Sequence, residues 1–273
     1  MNWQVVRAVV QKDVRIAFRN RGVRIPLIVT PVLLVVVVPT FLIMGANLLA
    51  GGSGVVGGLP AGSSPFEGFV PSVIESAGDT PLSYERAVLE FLVVPLYLLV
   101  PLVVATVIAA DSFAGERERR TLEALLHTAT SDRELFVGKL LAAYLPAVAS
   151  SWLAFAVYSI VANLLGARAI GGIFFPTPAW LIIAFWVAPA VSLLNIGLMV
   201  GISSRVRSLQ AAHQIGSLLV LPFVLLLVVQ ITGVMLLDLR SMLAFGVLLW
   251  IGGAAVLLVN LSTFDRDAVA SRL

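Results

Sequence analysis

Ala87–Ala110, AVLEFLVVPLYLLVPLVVATVIAA, runs within five residues into Gly115–Leu135, GERERRTLEALLHTATSDREL, where nine of 21 residues are charged. The first stretch is long enough to cross a hydrocarbon layer of ~30 Å as a helix, which takes about 20 apolar residues. The second is far too polar to lie in one. A long apolar segment, Leu140–Gly166, follows almost at once. The fold therefore turns on a membrane chain that puts its densest charge midway between two spans.

Six apolar runs qualify as spans: Ile25–Ala50, Ala87–Ala110, Leu140–Gly166, Trp180–Ile202, Ile215–Leu236 and Met242–Leu261, none with an internal Lys or Arg. The whole chain of 273 residues is 59% hydrophobic and 12% charged, with a mean hydropathy of +1.02. Soluble domains carry roughly 25% charged residues. The composition predicts an all-α polytopic membrane protein of six transmembrane helices, forming one transmembrane domain over residues 1–273.

Lys and Arg concentrate in loops on the cytoplasmic side. With six spans both termini share a side, and 15 of the 18 basic residues fall on it; only Arg86, Arg168 and Arg240 fall opposite. Both termini are therefore expected in the cytoplasm, with the protein in the cell (plasma or inner) membrane. On this reading residues 1–24 form a cytoplasmic interfacial helix, 51–86 an extracytoplasmic loop rich in Gly, Pro and Ser, and 111–138 a cytoplasmic segment. The N-terminal segment is too long and too charged for a signal peptide. The sequence pI near 9.7 reflects basic loops facing anionic lipid, so no nucleic-acid partner is called for. Cysteine is absent, which removes disulfides and thiolate metal sites.

The N-terminal wheel places Trp3, Val6, Val10, Val14 and Ala17 on one face and Gln4, Gln11, Lys12, Arg15 and Arg19 on another, as for a helix lying on a leaflet. Val5, Val9 and Ile16 blur the polar face, so part of it is expected against protein. The charged stretch is ordered by the same rules. Glu116 faces Arg119 and Arg120 at helical spacing, and Leu122, Leu125 and Leu126 share a small apolar face. Ser131-Asp132-Arg133-Glu134 has the Ser-x-x-Glu spacing of a capping box, which starts the third span while still in water. A loop that only fixes topology needs a few basic residues. Balanced charge beside an exposed Leu face suits docking onto another protein.

The run Gly115-Glu116-Arg117-Glu118-Arg119-Arg120-Thr121-Leu122-Glu123-Ala124-Leu125-Leu126, then Ser131–Leu135 and Gly138-Lys139-Leu140, closely resembles permease subunits of type-2 ABC exporters. Lys12-Asp13 with Arg19-Asn20-Arg21 is similar to that family's first helix. The resemblance implies a coupling helix between spans two and three that docks on a separate cytoplasmic ABC ATPase, present in two copies. It implies that Glu116, Arg117, Glu118, Arg120, Thr121, Leu122, Glu123, Leu125 and Leu126 make that contact. Arg205, Arg207 and Gln210 are candidates for a second, smaller one. It further implies that this chain is half of a translocation pathway, paired with a second permease subunit as homodimer or heterodimer. Between spans five and six only about four residues remain, so the helical hairpin some such exporters carry there is absent or very small.

No Gly-x-x-x-x-Gly-Lys-Ser/Thr phosphate loop occurs, so ATP and magnesium are expected in the partner ATPase and no cofactor on this chain. Neither His-Glu-x-x-His nor Gly-x-Ser-x-Gly is present. His127 and His213 lack acidic company for a metal site, and His127 reads as a cap on a helix C-terminus. Polar residues within spans are functional candidates: Asn163, Asn195, Gln214 and Gln230 as pathway lining, with Asn260 and Glu90 beside them. Amides also serve as glue between helices. Pro31, Pro39, Pro95, Pro101, Pro146, Pro189 and Pro222 are placed to bend spans. A second reading stays open: a secondary carrier, or a scaffold that docks a cytoplasmic partner without transporting. The carrier would need charged residues in mid-span, and the six runs hold only Glu90, near one end.

Overall fold

A computed structural model describes residues 2–49, 86, 88–115, 131–170, 172–203, 206, 208–231 and 239–263. Seven helical elements account for nearly all of them. α1 is Trp3–Arg19. α2 covers residues 21–49 and α3 residues 88–115. α4 is the single helix Asp132–Ile170. α5 covers residues 178–203, α6 residues 209–231, and α7 is Leu239–Thr263. Elements α2 to α7 each contain one of six stretches long and apolar enough to cross a membrane. The chain is thus an all-α, multi-pass membrane protein.

Lipid offers no partners for backbone groups, so a proline in a span must have its missing bond made good by neighbours. Three spans widen into a π turn before a proline, and in two of them neighbouring side chains take up the carbonyls. π-helical turns at Leu33–Val37, Val88–Leu92 and Ile183–Val187 lie just before Pro39, Pro95 and Pro189. A proline ring clashes with the carbonyl four residues back, here Val35, Phe91 and Phe185, each inside its π turn. The wider turn carries that carbonyl clear of the ring. It also leaves carbonyls over. The amide of Ala188 reaches back to Ile183 and residue 189 has none, so the Ala184 carbonyl loses its helical donor; Trp152 Nε1 donates to it at 3.1 Å. In α3, Tyr158 donates to the Leu89 carbonyl at 2.6 Å and Trp180 Nε1 to that of Glu90 at 3.0 Å. Pro101 and Pro146 sit in unbroken α-helix.

The spans differ in how far protein covers them. Within its most apolar stretch α3 is 72% buried, α5 61% and α4 50%, against 17% for α2, 11% for α6 and 17% for α7. The inner layer is therefore α3, α4 and α5, with the other three leaving flanks uncovered. At 39 residues, α4 is roughly 58 Å long, nearly twice the apolar thickness of a bilayer. It packs along α1 near its start and on the 172–177 connection near its end.

Candidate functional site

The charged residues 116–130 lie outside the described residues, but the two roots from which they spring are described. Both are tied to α1. Asn20 ends that helix: its own amide donates back to the Ile16 and Ala17 carbonyls at 3.1 and 3.2 Å. Its Oδ1 then caps α2 by accepting from the Gly22 amide at 3.0 Å, and its Nδ2 donates to Asp111 Oδ1 at 3.2 Å. One residue thereby turns the chain into the first span and holds the end of α3, from which the charged segment leaves.

The second root is held in three ways. Ser131 and Glu134 form the reciprocal cap their spacing predicts: the Ser131 amide donates to Glu134 Oε2 at 3.2 Å and the Glu134 amide to Ser131 Oγ at 3.4 Å. Glu134 Oε1 also accepts from the Asn2 amide at 2.6 Å, at the start of α1. One turn on, Gly138 lets α1 close in, since a Cβ there would stand 2.8 Å from Val9 Cγ1. That approach brings Lys139 to Asp13. Lys139 Nζ lies 3.6 Å from Asp13 Oδ2 and donates to the Ser112 carbonyl at 2.7 Å, so it bridges α1, α4 and the end of α3.

The charges in this bridge are buried: Lys139 is 1% exposed and Asp13 5%. Desolvating two ions is repaid only by close pairing and by hydrogen bonds to their remaining valences. Lys139 has the Ser112 carbonyl. Asp13 has Lys12 at 3.1 Å and Lys139, and neither of its oxygens completes a hydrogen bond of good geometry. The pairing is thus electrostatic and short of full compensation.

The wheel reading of α1 needs correcting here. Its packed face is Val6, Val9, Asp13 and Ala17, and Trp3 is exposed. The wheel assigns Asp13 to neither face; its partner across the helix interface, Lys139, brings it inside. The spacing 6, 9, 13, 17 was the available signal. α2 also begins at Arg21, not after Arg24, because Asn20 caps it there.

The first half of α6 comes to the same end of the bundle. Ser208 caps Leu209–Ser217 by accepting from the Ala211 amide at 3.1 Å, and that helix packs against Asp111–Gly115. Gln210 is exposed, while Arg205 and Arg207 lie outside the described residues. The lining candidates are scattered. Asn163, at the other end of α4, donates to the Ser159 and Phe175 carbonyls and accepts from the Phe174 and Phe175 amides. Asn195 is buried against α3. Gln214 is exposed on α6, and the side chain of Gln230 is outside the described residues. Asn260 joins α7 to the Gly197 carbonyl at 2.7 Å.

A family model described as ABC-2 family transporter protein matches residues 7–265. The chain belongs to the ABC-2 transporter family. No curated protein matches it. The match runs from within α1 past the end of α7, so the six spans and the Asp13–Lys139 cluster at their α1 end belong to one ABC permease, the membrane component of an ABC transporter.

Proposed function

We propose that this ABC-2 permease is half of an ATP-driven exporter, paired with a second permease subunit and driven by a separate cytoplasmic ABC ATPase in two copies. Residues 111–138 are its coupling segment, with Glu116, Arg117, Glu118, Arg120, Thr121, Leu122, Glu123, Leu125 and Leu126 at the ATPase. Arg205, Arg207 and Gln210 flank that contact, and ATP and magnesium belong to the partner. The observation that carries this reading is the double tether: both roots of the charged segment are fixed to α1 and to the starts of two spans. A push on such a segment would be delivered to α1, α3 and α4 together, which a loop serving only topology does not need.

The test is co-purification with an ATPase encoded beside this chain, with hydrolysis and transport assayed in the same vesicles. Burying a leucine contributes about 1.5–3 kcal/mol, and an exposed ion pair at most about 1 kcal/mol. Leu125→Asp should therefore lose assembly, while Glu116→Gln or Arg120→Gln keeps the complex and uncouples hydrolysis from transport. Full assembly and transport by Leu125→Asp would sink the reading. Sidedness has its own check, because the chain has no native cysteine. An impermeant thiol reagent on intact cells should label Ser64→Cys and spare Ser271→Cys; the reverse pattern means the topology is inverted.

A further inference from the structure

A cavity of about 220 Å³ lies among α3, α5, α6 and α7. Leu102 of α3, Leu198 of α5, Phe223 and Leu226 of α6 and Phe245 of α7 make its wall apolar. The one polar side chain in the lining is that of Asn195, itself 3% exposed. Its Nδ2 donates to the Leu102 carbonyl and to Thr106 Oγ1, both at 2.8 Å, and Thr106 gives its own hydroxyl hydrogen to that carbonyl at 2.9 Å. Both neighbours can therefore only accept from Asn195. That fixes which way the amide is turned and commits both of its hydrogens.

Oδ1 is the end left over. Among the described residues nothing donates to it, and it is not one of the fully enclosed polar atoms without a partner, which are Asp13 Oδ1 and Oδ2 and Ser203 Oγ. That oxygen is neither bonded nor fully enclosed and belongs to the one polar side chain bordering this space, and we infer that it faces the cavity. An amide carbonyl in apolar surroundings gains most from a ligand that brings a donor.

We propose that this cavity is a binding site for a small uncharged amphiphile, an apolar ring or short chain bearing one hydroxyl, with the hydroxyl donated to Asn195 Oδ1. Size sets the body of the ligand. A dry cavity of about 150 Å³ accepts benzene, so this one takes a fused pair of rings. Charge sets its head. The lining holds no acidic side chain to meet an ammonium and no basic one to meet a carboxylate, and a buried ion without a partner is costly. A neutral donor has neither penalty.

The site is tested on the full chain in bilayer nanodiscs without any ATPase, so its failure is separate from failure of the coupling assignment. Tritiated 1-naphthol and naphthalene form the probe pair, with uptake by empty discs subtracted. Naphthol should saturate at one per chain, and naphthalene, which lacks the donor, should bind about fivefold more weakly. Asn195→Leu should bring naphthol down to the naphthalene level. Leu226→Trp fills the cavity from α6 without touching the Asn195–Thr106 network and should abolish saturable binding of both. Equal affinity for the two probes, binding that survives Leu226→Trp, or no saturable uptake above that of empty discs would each overturn the proposal, the last because lipid chains then occupy the cavity.

Discussion

At the end nearest α1, helix α4 meets small residues and charge; at its other end the same helix meets aromatic rings. The first half of the core sets alanines, among them Ala17, Ala105, Ala109, Ala143 and Ala147, between larger side chains such as Ile108, Phe136, Ile196 and Met199, with the Asp13–Lys139–Ser112 bridge on top. The second centres on Tyr97, Tyr158, Phe175 and Trp180, whose ring centroids stand 4.8 to 5.4 Å apart, in the range where edge and tilted contacts are favourable. Alanine seams let helix backbones approach closely with little side-chain interlock. Interdigitated rings have to unpack before helices can slide. On the proposed function, the far half would serve as the fixed end of the bundle and the α1 half would take up the displacement. Stability and coupling should therefore respond to different residues.

The largest loss should come from the fixed end. Trp180 is fully buried, and Trp180→Ala removes its packing at a cost of about 3–5 kcal/mol. It also strands the Glu90 carbonyl, which adds roughly 1–3 kcal/mol. Thermal unfolding of the detergent-purified chain should show the loss, whereas any protein that still folds should keep its ATPase bound. A Trp180→Ala chain of normal stability that has lost its ATPase would reverse the assignment of the two ends.

A smaller loss of stability, with a larger effect on coupling, is expected at the α1 end. Lys139→Met leaves Asp13 buried with, among the described residues, only Lys12 to pair with, at a cost of about 3 kcal/mol. Adding Asp13→Asn removes the stranded charge, so the double variant should recover much of that stability. It should not recover coupling, because the Lys139 link from α4 to α1 and the end of α3 is still missing, leaving only the Asn20–Asp111 contact. If the double variant transports normally, the bridge serves only to hold the fold.

Much of this architecture was legible beforehand because its signals are one-dimensional. Span count follows from runs of apolar residues, and the Ser131–Glu134 cap from a spacing of three. Asp13 with Lys139 is not legible as a pair, because the two are far apart in sequence: Lys139 counts there as one more basic-side charge, and Asp13 only as part of a motif. Gly138 was quoted only as part of a motif; its purpose, room for Val9, exists only once α1 is packed. The prolines read as bends, but nothing local shows which of them carries a π turn, or that in two of the three a carbonyl is taken up by another helix. Trp152 and Trp180 do so from other helices, and no local pattern shows that.

The smallest effect follows from that last point and bears on why the fixed end tolerates a proline at all. Trp152→Phe keeps a ring near Phe185, which packs on Trp152 at 5.5 Å between centroids, but removes the indole donor to the Ala184 carbonyl. With Pro189 present no amide can replace it, so the substitution should cost about 0.5–1 kcal/mol, the usual scale for polar contacts between spans. In a Pro189→Ala background residue 189 regains an N–H five positions after Ala184, in the register the π turn already uses. The same Trp152→Phe change should then cost little, and the difference between the two backgrounds is the coupling energy of a double-mutant cycle. Thermal unfolding of the four chains in one detergent supplies the numbers. Equal costs in both backgrounds would mean that Trp152 contributes only packing, and that the Ala184 carbonyl finds its partner elsewhere.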